Sequence, residues 1–160
     1  MTMLSILGQE LIPVVERMKA LRSVRGIYKA AKLSEFVSLN FVNDDEILIL
    51  NCQWRGKNQA TDVLSFSAQE GMQMPGLEDV LGDLVISVDR AMVQAAEFEH
   101  ALHDEIAVLF AHGLAHLLGF DHERGFDEAQ QQMQFEMQLL EAAGLRSELV
   151  LMCRELGVHV

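Results

Sequence analysis

At 160 residues, half of them apolar, the chain is sized for a single domain, 1–160, able to bury its core without disulfide or metal staples. A formal net charge of −12 argues against non-specific nucleic-acid binding, which needs many cations against phosphates, so any RNA recognition must be local, and no apolar run approaches the ~18 residues of a membrane span. Cys52 and Cys153 form no CxxC pair, which excludes a redox motif and a cysteine zinc site; both are read as reduced, buried thiols.

The opening MTMLSILGQE has no basic segment followed by a long apolar one, so a soluble cytoplasmic protein without membrane contact is expected. Residues 9–33 place Leu11, Val14, Val15, Met18, Leu21 and Val24 at helical intervals, with Pro13 in a first turn and Gly26 weakening the helix beyond it. In residues 35–42, Val37, Leu39 and Phe41 alternate with Ser38 and Asn40, the period of a half-buried strand. Asn43 and Glu46 resemble a capping box for a short helix reaching Asn51, which delivers Trp54, Arg55 and Gly56 to a loop. Residues 61–68 and 81–88 have the β-branched and aromatic character of two further strands, an antiparallel pair joined by a long loop marked by Pro75 and Gly76.

Asp89 is the expected cap of a helix running to about Glu99, and another helix begins near Asp104. From Ile106 to Leu118 that helix is apolar nearly all round, as in a helix buried at the centre of a domain. Asp127 is the expected cap of the next, with Met133, Met137 and Leu140 on one stripe and Gly144 at its end. A last short helix runs through Leu149, Met152 and Leu156. Basic residues crowd the first 57 positions, among them Arg17, Lys19, Arg22, Arg25, Lys29, Lys32, Arg55 and Lys57. A solvated basic face is the plainest account of that asymmetry.

The sharpest signal is HGLAHLLGFDH, which holds three of the six histidines. His112 and His116 stand four apart, on one face of a helix. Gly119 lets the helix stop, so that the chain can turn and bring His122 back. Two adjacent imidazoles in an apolar helix are costly to bury unless each nitrogen has a partner, and one divalent cation would satisfy them together. His112, His116 and His122 are therefore the expected metal ligands, whereas His100, His103 and His159 read as hydrogen-bonded structural histidines. Three neutral imidazoles leave a zinc ion an open coordination position, the pattern of catalytic sites. The spacing is also that of the metzincin proteases, HExxHxxGxxH. Those enzymes carry a glutamate base after the first histidine; here the position is Gly113, which makes a zinc protease a distant alternative.

HGLAHLLGFDH closely resembles HGxxHLxGYDH, the signature of the YbeY family of metal-dependent endoribonucleases. WRGKNQATDVLSFS and LGDLVISVDRA are similar to that family's YRGKDKPTDVLSFP and LGDIVIS segments, in the same order, and the resemblance covers about residues 50–122. It implies an α+β fold: a small mixed β-sheet flanked by helices, with a buried central helix carrying the metal-ligand histidines beside a cleft. It also implies His112, His116 and His122 as ligands of one Zn2+ or similar ion, and Arg55 as a basic residue needed for activity. The implied function is cleavage of single-stranded RNA in ribosomal RNA maturation, with a ribosomal RNA precursor and the ribosomal subunit as partners. Arg55 would stabilise charge on phosphate, and either water or the substrate's 2′-hydroxyl would attack. Asp62 and Asp83 read first as strand-end carboxylates, and Asp121 and Glu123 as solvated groups or orienting partners of an imidazole. The rival class is a non-catalytic, metal-stabilised module that binds the assembling ribosome.

Overall fold

The computed structural model describes residues 3–68 and 79–155. Its strands are β1 (Leu4–Leu7), β2 (Phe36–Val42), β3 (Val63–Ser67) and β4 (Val80–Ser87); its helices are α1 (Val14–Ala30), α2 (Asp44–Arg55), α3 (Val88–Glu97), α4 (Leu102–Leu117), α5 (Phe126–Ala142) and α6 (Glu148–Glu155). The four strands form one mixed sheet in the order β1-β2-β4-β3. β1 and β4 run parallel to β2, while β3 and β4 pair antiparallel from Val63↔Ile86 to Ser67↔Gly82. This is the α+β architecture with a mixed sheet that the resemblance implies. Pro75 and Gly76, Leu156 and His159 lie outside the described residues.

Alternation explains the sheet's two faces. Val37, Leu39 and Phe41 of β2 and Leu84 and Ile86 of β4 join the main core with α4. Val42, Leu64 and Val85 meet Ile47 of α2 in a smaller cluster. α4 is the enclosed element: 13 of its 16 residues are buried, as its apolar circumference predicts. Its polar exceptions are paired. His100, just before it, meets Glu105 at 2.6 Å, and His103 meets Glu16 of α1, so both are the structural histidines expected. Among the described residues no helix is long and apolar enough to cross a membrane.

Several boundaries differ from those read in the sequence. β1 is missed there because only Leu4 of its four residues is buried, too little for an alternation to register. Gln9–Leu11 form a separate 3-10 turn and Pro13 precedes α1, so the helix is shorter than 9–33. Gly26 does not weaken it into a break; a Cβ there would lie 3.6 Å from that of Ala143, at the end of α5. Leu21 and Val24 are buried, but Leu11, Val14, Val15 and Met18 are exposed, because nothing among the described residues covers the start of α1. Asn43 does cap α2, its Oδ1 accepting from the Glu46 N–H at 2.9 Å. The helix runs on past Asn51, so Trp54 and Arg55 sit in its last turn and Gly56 caps it. Ser87, not Asp89, caps α3; the Asp89 carboxylate instead accepts from the Asp44 N–H at 2.9 Å and ties α3 to α2. Gly125 takes the cap position ahead of Asp127 in α5. Cys52 is exposed, contrary to the buried thiol expected, because it lies on the outer face of α2.

Candidate metal centre

Local sequence brings the three imidazoles together. α4 presents His112 and His116 one turn apart, and the chain turns at Gly119, whose φ of 99° favours a residue without Cβ. Asp121 then closes a 3-10 turn over His122–Arg124, its carboxylate accepting from the Glu123 N–H at 2.9 Å. The ring centroids of His112, His116 and His122 lie 4.7–5.4 Å apart, and one nitrogen from each falls within 4.8 Å of the others. The Nε2 atoms of His112 and His116 are 3.2 Å apart.

Chemistry says what this cluster suits. Both ring nitrogens of His122 are buried without a hydrogen-bond partner, an unfavourable state that a coordinated cation would relieve. Burial, and then the neighbouring His112 and His122, hold the pKa of His116 down at about 4. At neutral pH its imidazole is therefore uncharged, the form that binds a metal. Three imidazole nitrogen donors fit a divalent transition ion, and the three-histidine group could hold one.

Glu136 is the partner that sequence reasoning missed. Its carboxylate, 2% exposed, lies 2.6 Å from His112 Nδ1. A carboxylate only accepts, so the proton sits on Nδ1 and the Nε2 lone pair points into the cluster. Gln132, a turn earlier on α5 and fully buried, approaches the same Nδ1 to 3.2 Å through its amide nitrogen. Neither residue has a local signature, since a glutamate and a glutamine in a polar helical run read as solvated. Asp121, read as a candidate orienting group, instead shapes the turn and meets Arg124 at 3.4 Å.

The centre opens into a cavity of about 720 Å3 lined by all three histidines and by Arg55, Lys57 and Asp62. Arg55 reaches it from the end of α2. One guanidinium N–H donates to the Ser65 carbonyl, and the group lies 5.2 Å over the Phe66 ring, a cation–π contact that holds it in place. Asp62 is the strand-end carboxylate expected: it accepts from the Val63 N–H at 2.7 Å and from the Gln94 amide at 3.2 Å. Asp83 pairs across the sheet with the Ser38 hydroxyl.

Gly113 has a packing reason as well as a chemical consequence. A Cβ there would fall 2.8 Å from Leu84 Cδ2 and 3.2 Å from Val63 Cγ2, so α4 crosses the sheet too closely for a larger residue. The Ser65 hydroxyl uses the gap to donate to the Gly113 carbonyl at 3.3 Å. A glutamate here, as in the protease pattern, would require Leu84 and Val63 to shift.

One mixed sheet, an enclosed helix and three converging imidazoles beside a cleft that Arg55 enters define the class: an α+β protein whose histidine cluster could hold a metal ion. The family model described as Endoribonuclease YbeY matches residues 13–144. The Endoribonuclease YbeY of Desulforamulus reducens is 44% identical over 146 residues, covering 86% of this chain and 94% of that protein. The chloroplastic Endoribonuclease YBEY of Arabidopsis thaliana is 53% identical over 105 residues, which are 65% of this chain but 18% of that longer protein. The solution structure of TM1509 from Thermotoga maritima is similar with a TM-score of 0.56 and 25% sequence identity, covering 86% of this chain and 89% of that one. The chain belongs to the endoribonuclease YbeY family.

Proposed function

We propose that the protein cuts single-stranded RNA at this centre, using one metal ion held by His112, His116 and His122 together with the Arg55 guanidinium, and that its substrate is a ribosomal RNA precursor. The enzyme class follows from family membership: an endoribonuclease, a hydrolase acting on RNA. The observation that supports the site most strongly is the meeting of three imidazoles and an anchored arginine in one cavity. Zinc suits the donor set, and nickel, copper and iron accept it too. The reaction takes place in the cytoplasm, on RNA associated with the ribosomal subunit.

Bound by the three imidazoles, the metal would supply Lewis acidity, polarising a phosphoryl oxygen and acidifying water. Glu136 fixes the tautomer of His112 so that its Nε2 faces that ion. His116, uncharged well below neutral pH, keeps its lone pair available. Arg55 has five N–H donors; the Ser65 carbonyl takes one, and the others would serve a phosphate in the cleft, where a planar cation stabilises charge as the bond breaks. The cleft also holds the carboxylates of Asp62, Asp121 and Glu123, and the attacking oxygen is either that of water or the substrate's own 2′-hydroxyl. Product ends decide between these: a 2′,3′-cyclic phosphate marks internal attack, and its absence with cleavage of DNA as well marks water.

The test of the enzyme reading is His116→Ala. A folded variant that has lost its metal must lose ribosomal RNA cleavage. If it processes the RNA as well as the parent does, the centre is a structural module and the proposal fails.

A further inference from the structure

In a chain of net charge −12, α1 and the turn after it carry Arg22, Arg25, Lys29 and Lys32, all exposed. The spacing of three and four residues sets Arg22, Arg25 and Lys29 in one row along the helix surface, with about 5 Å of axis between neighbours, and Lys32 follows in the turn past the helix end. Among the described residues none of the four is in an ion pair. Three of them, Arg25, Lys29 and Lys32, line a groove of about 370 Å3 with Tyr28 and Leu33. No residue of α1 lines the cavity at the metal centre, so the mechanism leaves this row unused.

A favourable interaction with the helix dipole is the blandest account of cations at a helix end. It covers Lys29, in the last turn, and leaves out Arg22 and Arg25 further up the helix. Like charges in a row repel one another until a polyanion meets them. The rest of the molecule sharpens the point: a protein this acidic repels RNA at long range, so holding a large RNA requires a local concentration of cations. Near-uniform spacing suits a repeating phosphate backbone. The exposed apolar Val14, Val15 and Met18, which an acidic protein partner would use, lie before the row, towards the start of α1.

We infer that Arg22, Arg25, Lys29 and Lys32 form a second RNA contact, which grips the phosphodiester backbone of a large structured RNA while a single-stranded segment is cut at the metal centre. This rests on the reading of the protein as an RNA-cutting enzyme and adds the kind of substrate it handles: a segment embedded in structured RNA.

The test combines Arg22→Gln, Arg25→Gln and Lys29→Gln in the full chain, with the thermal midpoint as the check on folding. Binding of a long structured ribosomal RNA fragment is followed against salt in a His116→Ala background. Each lost phosphate contact makes the slope of log affinity against log salt shallower by about 0.7–0.9, so the triple variant should lose about 2–3 from it. With His116 restored, cleavage of the long RNA at physiological salt should fall about tenfold or more. Cleavage of a short single-stranded oligonucleotide should stay within about twofold of the parent, because it needs only the cleft. An unchanged slope, or equal loss on both substrates, overturns the inference; an unchanged slope would leave the row to an acidic protein. If the triple variant does not fold, Lys29→Gln alone must still lose about 0.7–0.9 from the slope. A parent that cuts neither RNA refutes the enzyme reading instead, and the salt slope still decides the contact.

Discussion

Replacing Glu136 by alanine should weaken metal binding without unfolding the protein. The carboxylate lies 2.6 Å from His112 Nδ1 and is 2% exposed, so solvent cannot substitute for it in orienting the ring. Alanine leaves the Nδ1–H without its charged acceptor, a bond worth about 1.5–3 kcal/mol, and frees the ring to change tautomer. Losing such a partner typically weakens metal affinity 10–100-fold, about 1.4–2.7 kcal/mol. Glutamine keeps an oxygen that can accept from Nδ1–H, so Glu136→Gln should lose less than about tenfold. The assay is competition with a chromophoric chelator, run beside thermal melts of the metal-free proteins. Removing a buried carboxylate also removes its desolvation penalty, so the metal-free melt should change less than the metal-bound one. Affinity within twofold of the parent in Glu136→Ala would refute the orienting role.

Arg55→Ala should retain the metal and lose cleavage by about 10²–10³-fold, the scale for removing one group that stabilises transition-state charge. Arg55→Lys should restore little of it, because a lysine ammonium lacks the planar fork; loss of metal along with activity would make Arg55 structural. Gly113→Glu, which recreates the protease pattern, should destabilise by about 3 kcal/mol or more in urea titration, since it drives a charge into the contact of α4 with Leu84 and Val63. Stability within about 1 kcal/mol of the parent would show that the helix can give way there. Burial and the neighbouring His112 and His122 lower the pKa of His116 on folding from its ordinary 6.5 to about 4, so below pH 6.5 the unfolded chain binds the extra proton. The metal-free parent should therefore lose stability relative to His116→Ala as pH falls from 6.5 to about 4, with little difference above that window. Parallel melting curves against pH for the two proteins would contradict this.

The histidine cluster was legible in the sequence because it is local: three histidines within eleven positions, with a helical interval and a glycine stop. So were the enclosed helix, whose apolar residues run all round it, and the alternation of β2. What escaped was decided by tertiary contact. Glu136 and Gln132 look like ordinary solvated helix residues until α5 folds against α4. Ser87 outcompetes Asp89 for the cap of α3 because β4 runs directly into that helix, leaving Asp89 inside the first turn. Val14, Val15 and Met18 have helical spacing and yet are exposed, because periodicity indicates a face without saying that anything covers it. Gly113 was read as a missing base; its close approach to Leu84 and Val63 of the sheet is visible only in three dimensions.

The central claim is that RNA is cut by way of a metal held at His112, His116 and His122. Its most direct test is elemental analysis of the purified protein combined with a chelator-reversal assay on ribosomal RNA. One divalent ion per chain should be present, chelation should abolish cleavage, and returning zinc or another accepted metal should restore it in the parent but not in His116→Ala. Full cleavage by a chain shown to be free of metal would contradict the account.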